Sequence, residues 1–209
     1  MDLFTFKKLY KAECKRLFSG MGFRINGNNC WRVVNDVYQA FYLHNSVDGA
    51  TFTVEFNSLP LCSFIGYKPK NDPWNIGLTF RWFTGEFEWM KRDIALLTPY
   101  FVDHLIPFFE NSSTLEGIIS EGTRLHNNLL AAFPHLKAFN QPPSISSFAY
   151  LKLGMLDKAI PMLRDANPRY IEQCGLDMDR LIARDTVWLS DYLAANERKN
   201  RIALGLEKE

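Results

Sequence analysis

Cys30-Trp31-Arg32-Val33-Val34-Asn35-Asp36-Val37-Tyr38-Gln39-Ala40-Phe41-Tyr42-Leu43-His44 reads as two strands joined by a turn. Cys30 to Val34 is short and β-prone, Val37 to His44 is rich in aromatic and branched side chains that suit a pleated, half-buried surface, and Asn35-Asp36 supplies the reversal. This hairpin makes the first half of the chain a sheet. Just downstream, Thr51-Phe52-Thr53-Val54-Glu55-Phe56 alternates, putting Phe52, Val54 and Phe56 on one face and Thr51, Thr53 and Glu55 on the other. Residues 66–77, with Gly66, Pro69, Asn71-Asp72-Pro73 and Gly77, read as a loop, and Leu78 to Phe83 and Phe87 to Met90 as a return to the sheet.

Outward from the sheet the period changes. Before it, Leu3, Phe6, Leu9, Tyr10, Leu17 and Phe18 recur at helical spacing with lysines between them, and Ser19-Gly20-Met21-Gly22 ends that helix. After it, Ile94, Leu97, Phe101, Leu105, Phe108 and Phe109 mark a helix in which Pro99 and Pro107 must lie near an end or make a kink. Ser112-Ser113-Thr114 ahead of Glu116 offers an N-cap for the next helix, and Phe133 to Pro143 reads as a connector. A final helix is expected from Asp177 into the 190s, on the stripe Met178, Leu181, Ile182, Trp188, Leu189 and Tyr192.

Of the 30 aromatic residues, 23 fall in positions 1–110. The sheet core is therefore expected to be aromatic and the remainder leucine- and alanine-bearing helix. The chain is read as α+β: an N-terminal helix and an aromatic-rich antiparallel sheet over residues 1–110, then a helical region over 111–209 packed on it as one unit.

Charge narrows the function. Lys and Arg number 24 and Asp and Glu 23, a net of +1, and neither half holds a charged run. The positive bias that draws nucleic acid is missing, so no nucleic-acid partner is expected. No stretch of ~20 apolar residues suits a membrane span, and Met1-Asp2-Leu3-Phe4-Thr5-Phe6 does not read as a secretory signal. A cytoplasmic protein with no membrane partner is expected. Cys14, Cys30, Cys62 and Cys174 lack Cys-x-x-Cys spacing and read as reduced structural thiols.

Motifs with a mechanism are scarce. His44, His104, His126 and His135 form no pair that would set two ligands on one helical face, so no metal is expected. Glu86 and Glu88 share strand parity, but the neighbouring Gly85 favours a turn or an exposed edge. Neither Gly-x-Ser-x-Gly nor a phosphate-cradling glycine loop occurs, and no catalytic or cofactor-binding residue is assigned. One constellation remains. If Thr53 and Glu55 face away from the core, Arg32, Gln39 and Arg81 could join them beside Trp31 or Trp82 as an interaction surface of polar groups flanked by aromatic anchors. The alternative is a solvated, charged sheet face with nothing bound to it.

Tyr150-Leu151-Lys152-Leu153-Gly154, followed by Ala159-Ile160 and Ala166, resembles one tetratricopeptide repeat, its small residues allowing two helices to approach closely. Pro161 and the early Pro168 depart from that pattern and no second copy follows, so a lone helical hairpin is expected rather than a stacked array. More broadly, an amphipathic helix, Gly22-Phe23-Arg24, Trp31-Arg32, an acidic turn, an aromatic strand and the Phe52-Thr53-Val54 strand resemble an uncharacterised bacterial family, a domain of unknown function. Its members tend to end in helices bearing a leucine-glycine-alanine pattern like Leu153-Gly154 through Ala159. That resemblance implies a fold and no activity. The expectation is a protein-binding module, accessory or immunity-type, without catalysis or cofactor; the alternative is a small-ligand receptor or an enzyme with a site gathered from scattered residues.

Overall fold

Helix α1 (Leu3–Phe18) buries Tyr10, Cys14 and Phe18, three residues four apart that share one face. In the computed structural model, which describes residues 3–45, 51–63, 82–83, 87–132, 143–166 and 168–208, a short 3-10 turn (Ser19–Met21) follows, closed by Gly22 at φ 82°. Five strands come next: β1 (Arg24–Asn26), β2 (Asn29–Val34), β3 (Val37–Asn45), β4 (Thr51–Pro60) and β5 (Trp82–Phe83). They form one sheet in chain order, β1-β2-β3-β4-β5.

The expected hairpin is β2–β3. Its turn residues Asn35 and Asp36 lie at φ 45° and 62°. Left-handed backbone at both central positions matches the twist of the flanking strands, and Asn and Asp tolerate it better than most side chains. Sequence reading overlooked β1. Only Ile25 of its three residues is apolar, but Gly27 at φ 62° turns it back so that Arg24 stands opposite Trp31 and Ile25 opposite Cys30. In β4, Val54 and Phe56 are buried as the alternation requires, and Asn57 to Pro60 are then buried at every position.

Phe87 to Met90 does not resume the sheet. These residues open helix α2 (Phe87–Tyr100), because four alternating residues fit the first turn of a helix as well as a strand and the helical period downstream decides. A π turn (Phe101–Leu105) and α3 (Ile106–Asn111) continue it, with Ile106 N–H donating back to the Phe101 carbonyl. The wider turn lies between Pro99 and Pro107, whose rings crowd the preceding turn of a regular helix. Residues 64–81 and 133–142 lie outside the described residues; they hold the expected loop, the strand from Leu78 except Trp82 and Phe83, and the connector except Pro143.

The remaining elements are α4 (Leu115–Ala132), α5 (Pro143–Lys152), α6 (Leu156–Arg164), α7 (Pro168–Cys174), α8 (Met178–Ile182) and α9 (Thr186–Ala203). Thr114 caps α4, its Oγ1 accepting from Gly117 N–H at 3.0 Å. The single final helix expected from Asp177 is two. Asp177 caps α8 and Asp185 caps α9, each accepting from a backbone N–H of its helix at 3.0 Å. An Asp that begins a helix so strongly also interrupts the one before it.

The helical hairpin α5–α6 is present, with α4 packed on α5 and α5 on α6. Gly154 serves it differently from the expectation of close approach. A methyl group there would meet nothing within 4 Å, whereas φ is +72°. Gly154 N–H donates to Leu151 O and Met155 N–H to Tyr150 O, at 3.0 and 2.9 Å. This is a Schellman ending, which needs a left-handed residue at that place.

The chain divides into two compact units, neither continuous in sequence. The first comprises Met1–Val34, Tyr38–Ser58 and Asn75–Asn111, with a core of rings: Phe18 lies 4.5 Å from Phe41 and 5.4 Å from Phe101, and Phe23 lies 5.1 Å from Phe109. Most of these meet edge-on or tilted, as ring quadrupoles favour. The second comprises Asn35–Val37, Leu59–Trp74 and Ser112–Glu209, with a core of Leu151, Leu156, Ile160, Leu163, Leu181, Leu189 and Leu193 around Phe148 and Tyr170. In this unit Asn200, buried on α9, donates to the carbonyls of Leu61 and Ser63 at 2.8 Å each. Arg201 bonds Asp36 at 3.3 Å and Glu197 at 3.0 Å, and Glu197 bonds Lys152 at 3.0 Å.

Candidate functional site

Arg32 is the most constrained charge of the sheet. On β2 it points to the same side as buried Cys30, two residues before it. Its Nε donates to Gln39 Oε1 at 2.7 Å, its Nη1 donates to the Met21 carbonyl at 2.7 Å, and the guanidinium carbon stands 4.8 Å over the Phe23 ring. Gln39, fully buried, is anchored in turn by donating to the Phe109 carbonyl at 2.7 Å. The arginine is thus oriented by two hydrogen bonds and a ring. Met21 ends the 3-10 turn that follows α1, so the cation also meets the negative end of that helix. Burial pushes the Arg32 pKa down and Glu110 opposes this, yet a guanidinium keeps its charge at any physiological pH. No carboxylate of the described residues forms an ion pair with it.

Of the seven surface residues expected from sequence, the side chains of Trp31, Arg32 and Gln39 are described, and these three do not share one exposed face. Arg32 and Gln39 are joined, but Gln39 is buried rather than solvated, because that face of β3 also carries Phe41 into the aromatic core. Trp31, adjacent to Arg32 in a strand, points to the opposite face, 6.3 Å from Tyr38 and under the Arg24 guanidinium at 5.0 Å. Thr53 and Glu55 lie on β4 and Trp82 on β5, opposite Phe52, but their side chains are outside the described residues, as is the whole of Arg81. Phe23, Met21 and Phe109, which complete the Arg32 setting, had no local signal; the Gln39–Phe109 bond spans 70 positions.

A second arrangement lies in the helical unit, at the turn between α8 and α9. Gly22, Gly154, Gly175 and Gly205 each close a helical turn with the same pair of Schellman bonds, all at positive φ. The fifth such position is Arg184, at φ 57°, donating to Leu181 O at 3.0 Å while Asp185 donates to Arg180 O at 3.1 Å. A side chain there is strained by about 1 kcal/mol or more relative to glycine. Its Nη2 reaches Asp157 of α6 at 2.5 Å, with the two side chains 58% and 83% exposed. An ion pair so solvated contributes only ~0–1 kcal/mol, too little to account for arginine at that backbone position.

The turn that displays it is braced. Asp185 accepts from Trp188 N–H at 3.0 Å and from Arg180 at 2.6 and 3.0 Å; these contacts hold its carboxyl below the ordinary range, the backbone bond from Trp188 first. Arg180 lies 5.3 Å over Trp188, which stacks on Tyr192 at 5.4 Å. Met155, Ile182 and Val187, three of five large hydrophobic residues exposed among those described, lie within three positions of Asp157 or Arg184 in sequence.

Among the described residues no group of three or more His, Cys, Asp or Glu could hold a metal ion, and no helix is long and apolar enough to cross a membrane. All four cysteines are buried and none forms a disulfide. Burial pushes the Cys14 thiol far above its ordinary value, with Cys30 beside it adding to the shift, and pushes the Cys62 thiol up to about 12. Such thiols are poor nucleophiles. No family model, curated protein or solved structure matches the chain.

Proposed function

We propose that this chain is a non-catalytic binding module that engages another protein, in an accessory or immunity-type role in the bacterial cytoplasm, and that Arg32 receives an acidic group of that partner. The observation that carries this reading is a guanidinium held by Gln39, the Met21 carbonyl and the Phe23 ring with no ion-pairing carboxylate among the described residues, Glu110 acting on it without an ion pair. A cation so oriented loses little freedom on meeting a carboxylate, and planar two-point pairing suits arginine better than lysine. Four cysteines without a disulfide and the resemblance to a bacterial family support the setting.

Affinity capture with the wild-type protein, Arg32→Gln and Arg32→Lys, each checked for an unchanged melting temperature, tests it. One stoichiometric protein retained by the wild type and lost from both variants is expected. Retention by Arg32→Gln would remove Arg32 from the interface, and recovery of a small metabolite instead of a protein would overturn the protein-binding reading.

A further inference from the structure

We propose that the α8–α9 turn is a self-association surface whose occupant is a second copy of this chain, related by a twofold axis, with Arg184 of each copy pairing with Asp157 of the other. Asp157 and Arg184 are both largely exposed and carry opposite signs on one patch, and a patch bearing one of each is complementary to itself under twofold rotation, since residue i then meets residue j and j meets i. Exposed apolar side chains stand close to both partners in sequence: Met155 two positions before Asp157, and Ile182 and Val187 two before and three after Arg184, Val187 being 74% exposed at the second position of α9. Exclusion of water by apolar side chains strengthens the ion pairs they enclose.

Among the described residues glycine closes the other four turns of this type, and of these helix endings only this one puts a side chain at the left-handed position. The strain is retained where the guanidinium is largely exposed, on a turn that Asp185, Arg180 and Trp188 already brace. A rigid turn needs little ordering on association. The patch is small, which places the dimer among weak, reversible ones.

Sedimentation equilibrium over a micromolar concentration series tests the proposal. The wild type is expected to show a mass rising with concentration, and Asp157→Arg or Arg184→Asp alone to weaken association by ~10-fold or more. A 1:1 mixture of those two variants is expected to associate again, because opposite charges then face each other across the axis; an ion pair acting only within one chain would give no such rescue. Val187→Asp, at a position too exposed to disturb the core, is expected to weaken association with the ion pair intact. A wild-type mass independent of concentration, a mixture that stays monomeric, or association undiminished in Val187→Asp would overturn it.

Discussion

The side-chain amide of Gln39 stands between Arg32 and Phe109, accepting from the Arg32 Nε and donating to the Phe109 carbonyl, each at 2.7 Å. A single buried amide thereby ties β2, β3 and α3 together inside the first unit. Gln39→Leu keeps the approximate volume and removes both bonds, leaving a buried carbonyl and one arginine donor without their partner. Stability is expected to fall by about 2–3 kcal/mol, read as a lower urea midpoint with an unchanged slope.

Asn200 is the counterpart in the second unit, and Asn200→Leu strands the carbonyls of Leu61 and Ser63. A loss of about 2–4 kcal/mol is expected. Urea titration followed by circular dichroism measures it; a loss below about half a kcal/mol means that water replaces the amide.

Arg184→Gly removes the left-handed strain and is expected to raise stability by about 0.5–1 kcal/mol, while Gly175→Ala, at φ 65° in the equivalent position of α7, lowers it by about 1 kcal/mol. Calorimetry should show the melting temperature moving ~2–4 °C in opposite directions in the two variants. If the two move together, left-handed backbone is not what separates these sites.

Glu197 sets an acid dependence. Burial alone would raise its pKa, but Lys152 and Arg201 outweigh that and the net shift is downward from 4.5. A depressed carboxyl contributes stability that is present above its unfolded value and is lost as pH falls through the folded one. The stability difference between wild type and Glu197→Gln should therefore be constant from neutral pH down to about 5 and shrink below about 4.5. Urea midpoints measured at intervals across that range provide the check.

All four thiols are buried, so none should react with Ellman's reagent at pH 8 in the folded protein, and all four should react in denaturant. Rapid labelling of one thiol in the folded state would show that its surroundings open locally.

Local features were legible in sequence and long-range ones were not. Asn35-Asp36 announced its turn because left-handed backbone needs particular residue types, and the α1 stripe announced itself by spacing. Phe87 to Met90 misled because four residues cannot distinguish a period of two from one of 3.6. Asp185 carried a capping signal inside a stripe that looked continuous. Gln39 was taken for a surface residue because amides usually are, and only a carbonyl 70 positions away makes its burial tolerable. The Arg184 arrangement was unreadable for a related reason: nothing around it in sequence says that the chain turns left-handed there.

The bonds from Asn200 to Leu61 and Ser63, and from Arg201 to Asp36, bear on synthesis. The amide that satisfies the carbonyls at 61 and 63 is made 139 and 137 residues after them, and the guanidinium 165 residues after its aspartate. At ~5–20 residues per second, that is roughly 7–33 s during which the hairpin tip and the end of β4 are outside the ribosome, or inside its tunnel, without their final partners. The second unit can close only when its last helix has been translated, so a nascent chain paused before α9 will expose those segments to chaperones and proteases for as long as the pause lasts.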